Sequence, residues 1–121
     1  MHMKDWRTLK LREKTHELLE IIAKAEHSDF VESIILFGSE VRGAANLTSD
    51  VDIALISQKH LNMKERLSIL ADIPQDLYND VDVRIVCLRK ESLETSNTLD
   101  VGYSVKREGC LIYSSATEGA I

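Results

Sequence analysis

Two apolar runs, Ile34-Ile35-Leu36-Phe37 and Ile53-Ala54-Leu55-Ile56, bracket the stretch that most limits what this chain can become. The first run stops abruptly at Gly38-Ser39. Eleven residues after Ser39 come Asp50, Val51 and Asp52, which lead straight into the second run. Short and bounded by turn residues, both runs read as buried strands. Alternation along a strand sends Asp50 and Asp52 to one face. Two carboxylates would then share the start of a hydrophobic strand, next to a glycine-serine turn.

Around these runs the pattern alternates helix and strand. Residues 5–26 read as a long N-terminal helix, with Leu11, Leu18, Ile22 and Ala25 at helical spacing and Arg12, Glu13, Glu17, Glu20 and Lys24 opposite them. Val31 to Phe37 is a strand, residues 39–45 a short helix opening at Ser39, and Val51 to Ile56 a second strand. Met63, Leu67, Leu70 and Ala71 mark another helix, stopped near Pro74. Val81 to Val86 is a third strand, with Asp82 and Arg84 on a polar face, and a helix over 92–107 ends at Gly109 before a short edge strand, Cys110 to Tyr113. The expectation is an α/β (α+β) fold, a small mixed β-sheet flanked by helices, in a single domain spanning 1–121. A chain of 121 residues has room for one core.

Charge and cysteine usage narrow the function. Fifteen basic and 20 acidic side chains leave a net charge of −5, which argues against a broad nucleic-acid-gripping face but not against a local site for a small anion. Cys87 and Cys110 are not in a Cys-x-x-Cys spacing and sit among apolar neighbours, so they read as buried small hydrophobes in a reducing compartment. No apolar stretch approaches the ~20 residues of a membrane span, and the charged N-terminus lacks a signal peptide's apolar segment, so a cytoplasmic location is expected. His2, His16, His27 and His60 lack metal-ligand spacing, and Trp6 and Tyr103 read as core or interface residues.

At Gly38 the absence of a Cβ lets the backbone turn sharply and approach a ligand closely. The first N–H groups of a following helix, the Ser39 hydroxyl and the Arg42 guanidinium could converge on one phosphate. Read alone, Gly38-Ser39 is an ordinary strand-to-helix turn with an N-cap serine. Asp50 and Asp52 repel each other unless a cation lies between them, and Mg²⁺ is commonly held by one or two carboxylates plus substrate phosphates. A third carboxylate should come from a neighbouring strand. Asp82 and Asp80 are both candidates, with Arg84 as a counter-charge on the same face and Tyr78 close by.

Gly38-Ser39, Arg42-Gly43 and Ser49-Asp50-Val51-Asp52-Ile53 together resemble the signature of the DNA polymerase beta-like nucleotidyltransferase superfamily, most closely its minimal nucleotidyltransferase (MNT) group. Val81-Asp82-Val83 is similar to that group's third acidic strand, and Val105 to Tyr113 to its closing helix and strand, so the resemblance covers about residues 30–113. It implies transfer of a nucleoside monophosphate, AMP from ATP, to an acceptor hydroxyl. Carried over, Asp50 and Asp52 bind two Mg²⁺ ions and Asp82 binds the one that activates the acceptor. Gly38 and Ser39 hold the terminal phosphates, with Arg42 as a secondary contact. Many members of the group resemble antitoxins that AMP-modify a small helical HEPN-type toxin, which implies a protein partner. A catalytically idle module that neutralises its partner by contact is the competing expectation. The apolar stripe of the 5–26 helix, with Trp6 at its start, is expected to be incompletely buried and so to favour association with that partner or with a second copy.

Overall fold

The structure is a computed structural model and describes residues 4–44, 50–94 and 101–115. The expectations for residue 45, Ser49, residues 95–100 and the tail beyond 115 lie outside the described residues. Its centre is a five-stranded mixed sheet built from β1 (Lys4–Asp5), β2 (Val31–Phe37), β3 (Val51–Ser57), β4 (Val83–Arg89) and β5 (Cys110–Ser114). The spatial order is β1-β5-β2-β3-β4. The outer pairs β1/β5 and β3/β4 are parallel, and β2 runs antiparallel to both of its neighbours. This is the small mixed β-sheet flanked by helices that the sequence leads one to expect.

β2 is apolar on both faces because both faces are covered. Ile34 and Leu36 join Val51, Ile53 and Leu55 of β3 in a core with Trp6, Leu18, Leu19 and Ile22. Ile35 and Phe37 turn the other way, packing with Ala54, Ile56 and Val105. The first core is closed by α1 (Glu13–Lys24), and the second, smaller one by α6 (Val101–Glu108), which brings Val105 down onto the sheet. Asp52 of β3 belongs to the α6 side, since it shares its parity with Ala54 and Ile56, and Asp50 lies just before the strand.

Several expected elements are redrawn. The N-terminal helix does not span 5–26; it begins only at Glu13. Lys4–Asp5 instead pair with Cys110–Leu111 as an edge strand, and Trp6–Thr8 form a 3₁₀ turn capped by Asp5, whose carboxylate accepts the Arg7 N–H at 2.9 Å. Extended backbone at Leu9 and at Arg12 then separates this turn from α1. The turn lets the Trp6 ring enter the core fully, at 0% exposure. Leu18 and Ile22 are also fully buried, whereas Leu11 and Ala25 of the same stripe stay half-buried, so most but not all of the apolar stripe is used internally.

β5 is an inner strand, not an edge, because β1 flanks it. The helix at residue 63 is shorter than its pattern: α3 (Met63–Leu67) passes into a 3₁₀ turn at Ser68–Leu70. The stretch stops before Pro74, as expected, and Pro74 then opens α4 (Gln75–Asp80), with its carbonyl accepting the Tyr78 N–H at 3.0 Å. The third strand starts later than expected, at Val83, so Asp82 precedes it. The helix expected over 92–107 is described as α5 (Lys90–Glu94) and α6. Among the described residues no helix is long and apolar enough to cross a membrane.

Candidate active site

β2 ends at Phe37 and the chain reverses through Gly38, with φ 86° and ψ −155°, a backbone state that an L side chain rarely adopts. Space enforces the same choice. A Cβ built on Gly38 would overlap the Asp52 carboxylate, which lies against the glycine backbone. Phe37 and Asp52 are register partners, so the β2/β3 pairing itself delivers the carboxylate to the turn.

A single helical turn follows, α2 (Ser39–Arg42), closed by Gly43 in the left-handed conformation. Gly38 is its N-cap and Ser39 lies one position further in, so the simple reading of Ser39 as a capping residue does not hold. One turn gives little macrodipole, so an anion held here would depend on local N–H donors and side chains. α2 is anchored from below by Glu40, whose buried carboxylate meets Arg12 Nε at 2.6 Å. Neither partner of that pair stood out in the sequence.

Asp50 and Asp52 are brought together as expected, and a cation stands between them. Arg84 lies opposite Asp52 in the parallel β3/β4 register. Its Nε is 3.3 Å from Asp52 Oδ1 and its Nη1 is 3.8 Å from Asp50 Oδ2. The contact with Asp52 is an ion pair without an aligned hydrogen bond, because Asp52 Oδ1 is buried with no hydrogen-bond partner. Burial pushes the Asp52 carboxyl above the usual carboxylate range. Arg84 and Arg42 pull it down, and Asp50 and Glu108 push it up. Two convergent carboxylates, one with an orphaned buried oxygen, are a donor set of hard oxygens that suits a divalent cation, with phosphate and water completing its shell.

The two candidates for a third carboxylate part company. Asp80 ends α4 and points towards α1, 3.8 Å from Lys14 Nζ. Asp82 immediately precedes β4, exposed, with its carbonyl accepting the Val51 N–H at 2.7 Å. Continued by one step beyond Val51–Val83, the β3/β4 register puts Asp82 beside Asp50. Among the described residues, however, no three acidic, histidine or cysteine side chains are gathered closely enough to hold a metal ion. Tyr78 is not part of the site; it lines a shallow cavity with Met63, Leu67 and Ile85.

On the other side of the turn is Glu108, the last residue of α6, which sequence reasoning did not single out. Its Oε1 accepts the Gly38 N–H at 3.2 Å and Arg42 Nη1 at 2.8 Å, and its Oε2 lies 3.1 Å from the same Nη1. The only sequence signal was an acid directly before Gly109, within the segment similar to the family's closing helix and strand. Cys87 and Cys110 are free thiols whose pKa values burial raises, in keeping with packing roles.

Known proteins place this geometry. The family described as Polymerase beta, Nucleotidyltransferase matches residues 19–118. No curated protein matches the chain in sequence. Among solved structures, a toxin–antitoxin complex with AMP-PNP is similar at 24% identity and TM-score 0.53, covering 88% of this chain and 76% of that one. A mutant MntA–HpeT toxin–antitoxin complex aligns at 20% identity and TM-score 0.55, covering 87% and 77%. A putative nucleotidyltransferase from Sulfolobus solfataricus aligns at 18% identity and TM-score 0.51, covering 85% and 86%. At these identities the structural likeness speaks for the fold, and the family match speaks for descent. The chain belongs to the polymerase beta nucleotidyltransferase family, and its fold is shared with MNT proteins of toxin–antitoxin complexes.

Proposed function

We propose that this chain is a Mg²⁺-dependent nucleotidyltransferase that moves AMP from ATP to a hydroxyl of a protein acceptor. The acceptor is a HEPN-type helical toxin, and the chain is its antitoxin, acting in the cytoplasm. The observation that carries the reading is the placing of two carboxylates, Asp50 and Asp52, on one side of β3 beside the Gly38 turn, with the Asp52 carboxylate against the glycine backbone. Support for the partner comes from similar structures described as toxin–antitoxin complexes, one of them with AMP-PNP.

In the reaction the acceptor hydroxyl gives up its proton to solvent, its oxygen attacks the α-phosphorus, the bond from that phosphorus to the α–β bridging oxygen breaks, and pyrophosphate leaves. Asp50 and Asp52, with Asp82 on the acceptor side, would hold two Mg²⁺ ions, whose chemistry is to acidify the acceptor hydroxyl and offset charge on the transferring phosphoryl group. Ser39, the Gly38 N–H and Arg42 would fix the terminal phosphates. Arg84 gives up its contacts with the aspartates and can turn to the phosphates instead. Gly38 keeps the turn close to Asp52, so phosphate donors and metal-binding oxygens face one small volume.

A second reading, an idle module that neutralises its partner by contact, is favoured by Arg84, which already supplies the aspartates with a cation. Co-expression with the neighbouring gene product separates the two. The first reading expects a hetero-complex with the partner heavier by one or more AMP units. An unmodified partner, bound or unbound, in the presence of Mg²⁺ and each NTP would overturn it.

A further inference from the structure

Glu108 engages the donors that the proposed function assigns to phosphate. One carboxylate oxygen accepts from the Gly38 N–H and from Arg42, and the other lies against Arg42. A carboxylate in this position resembles the oxygen edge of a phosphate. It also adds a negative charge where a nucleotide brings several, and it is close enough to Asp52 to push that carboxyl upward. Phosphate and Glu108 cannot both take the Gly38 N–H.

The surroundings favour the phosphate once the carboxylate has moved. Glu108 and Arg42 line a cavity of about 390 Å³ together with Lys4, Lys106 and Arg107. Four cationic residues against one acid make this cavity positive, in a chain whose net charge is −5. The Glu108 side chain is 20% exposed, and that of Arg42 57%, so the pair can open without disturbing the core.

We propose that Glu108 is a displaceable stand-in for the nucleotide's terminal phosphates. It holds the Gly38 N–H and Arg42 in the free protein, and a polyphosphate tail must displace it before entering the cationic cavity. Glu108 thereby weakens binding of every ligand that needs those donors and sets the affinity of the site. This rests on the reading that phosphates bind at the Gly38 turn.

Calorimetric titration of the full chain with inorganic tripolyphosphate, and with AMP-PNP plus Mg²⁺, tests it. Glu108→Gln keeps an acceptor for the Gly38 N–H and removes the charge. It is expected to bind both probes about fivefold tighter, the factor carried by one solvent-screened ion pair. In an Arg42→Gln background the gain should shrink, because the released guanidinium no longer contributes, and keep only the part that comes from the Gly38 N–H and the removed charge. Glu108→Ala should also bind more tightly, which guards against an effect peculiar to glutamine. If Glu108 served only to hold Arg42 in place, both substitutions would weaken binding and the inference would be overturned. Wild-type binding with no tightening in either variant overturns it alone. Wild-type protein that binds neither probe overturns the functional reading and this inference with it.

Discussion

Replacing Gly38 by alanine perturbs backbone and site at once, and the structure sets the scale. Alanine would have to hold φ 86° and ψ −155°, a region that costs about 1–3 kcal/mol for a residue with a Cβ. Its Cβ would also overlap the Asp52 carboxylate, forcing that side chain off its rotamer for about 0.5–1.5 kcal/mol more. Against this, alanine restricts the unfolded chain and returns about 0.4–1 kcal/mol. The net loss is about 0.5–4 kcal/mol. An unfolding entropy of about 2.1 cal/mol/K per residue gives about 0.25 kcal/mol/K for 121 residues, so each kcal/mol lowers Tm by about 4 °C. Scanning calorimetry should therefore show a drop of about 2–16 °C. Repeating the substitution in an Asp52→Ala background isolates the two parts, since only the backbone strain survives there. Mg²⁺-dependent nucleotide binding should be lost in Gly38→Ala even well below its Tm. A Tm within about 2 °C of wild type, or the same loss with and without Asp52, would refute the close packing of glycine and carboxylate.

Other outcomes follow from single side chains. Asp52→Asn should abolish Mg²⁺-dependent nucleotide binding while leaving Tm at neutral pH unchanged or slightly raised. Because the folded-state pKa of Asp52 is raised, the folded protein binds the proton more tightly, so the ionised form opposes folding as pH rises through that pKa. The advantage of asparagine should accordingly fade on acidification, and an advantage that grew instead would contradict the sign. Asp82→Asn is expected to remove AMP transfer and spare nucleotide binding, whereas Asp80→Asn, which disturbs only the Lys14 contact, should alter neither; measuring both activities in both variants checks the assignment. Arg12→Ala strands the buried Glu40 carboxylate and should cost about 2–4 kcal/mol in urea unfolding, with Arg12→Met/Glu40→Leu recovering most of it.

The centre of the fold was legible because its signals are local. Strands β2 and β3 are uninterrupted apolar runs, and the Asp50/Asp52 pairing follows from alternation within one of them. The Gly38 break marked the start of a short helix at Ser39, but the expected span of 39–45 was too long, because Gly43 in the left-handed conformation closes the turn after Arg42. Where tertiary demands overrode periodicity, the sequence misled. Helical spacing does not reveal that Trp6 reaches the core from a 3₁₀ turn, or that Lys4–Asp5 add a strand beside β5. Pro74 disfavours the helix before it but is well suited to open the next one, and pattern alone does not choose between these. Glu108 was invisible for a different reason. Seventy residues separate it from Gly38, and only the packing of α6 on the sheet makes them neighbours. Arg84 stood out as a counter-charge, yet its contact with both aspartates depends on the β3/β4 register.

The fate of label from ATP tests the central claim most directly. The chain, its co-expressed helical partner and Mg²⁺ are incubated with ATP labelled at either the α- or the γ-phosphate, alongside Asp50→Asn and Asp52→Asn. Nucleotidyl transfer predicts that the α-label becomes covalently attached to the partner, that the γ-label leaves as pyrophosphate, and that both variants are inert. Attachment of the γ-label, or no attachment of either label while ATP binds equally well with and without Mg²⁺, would contradict it.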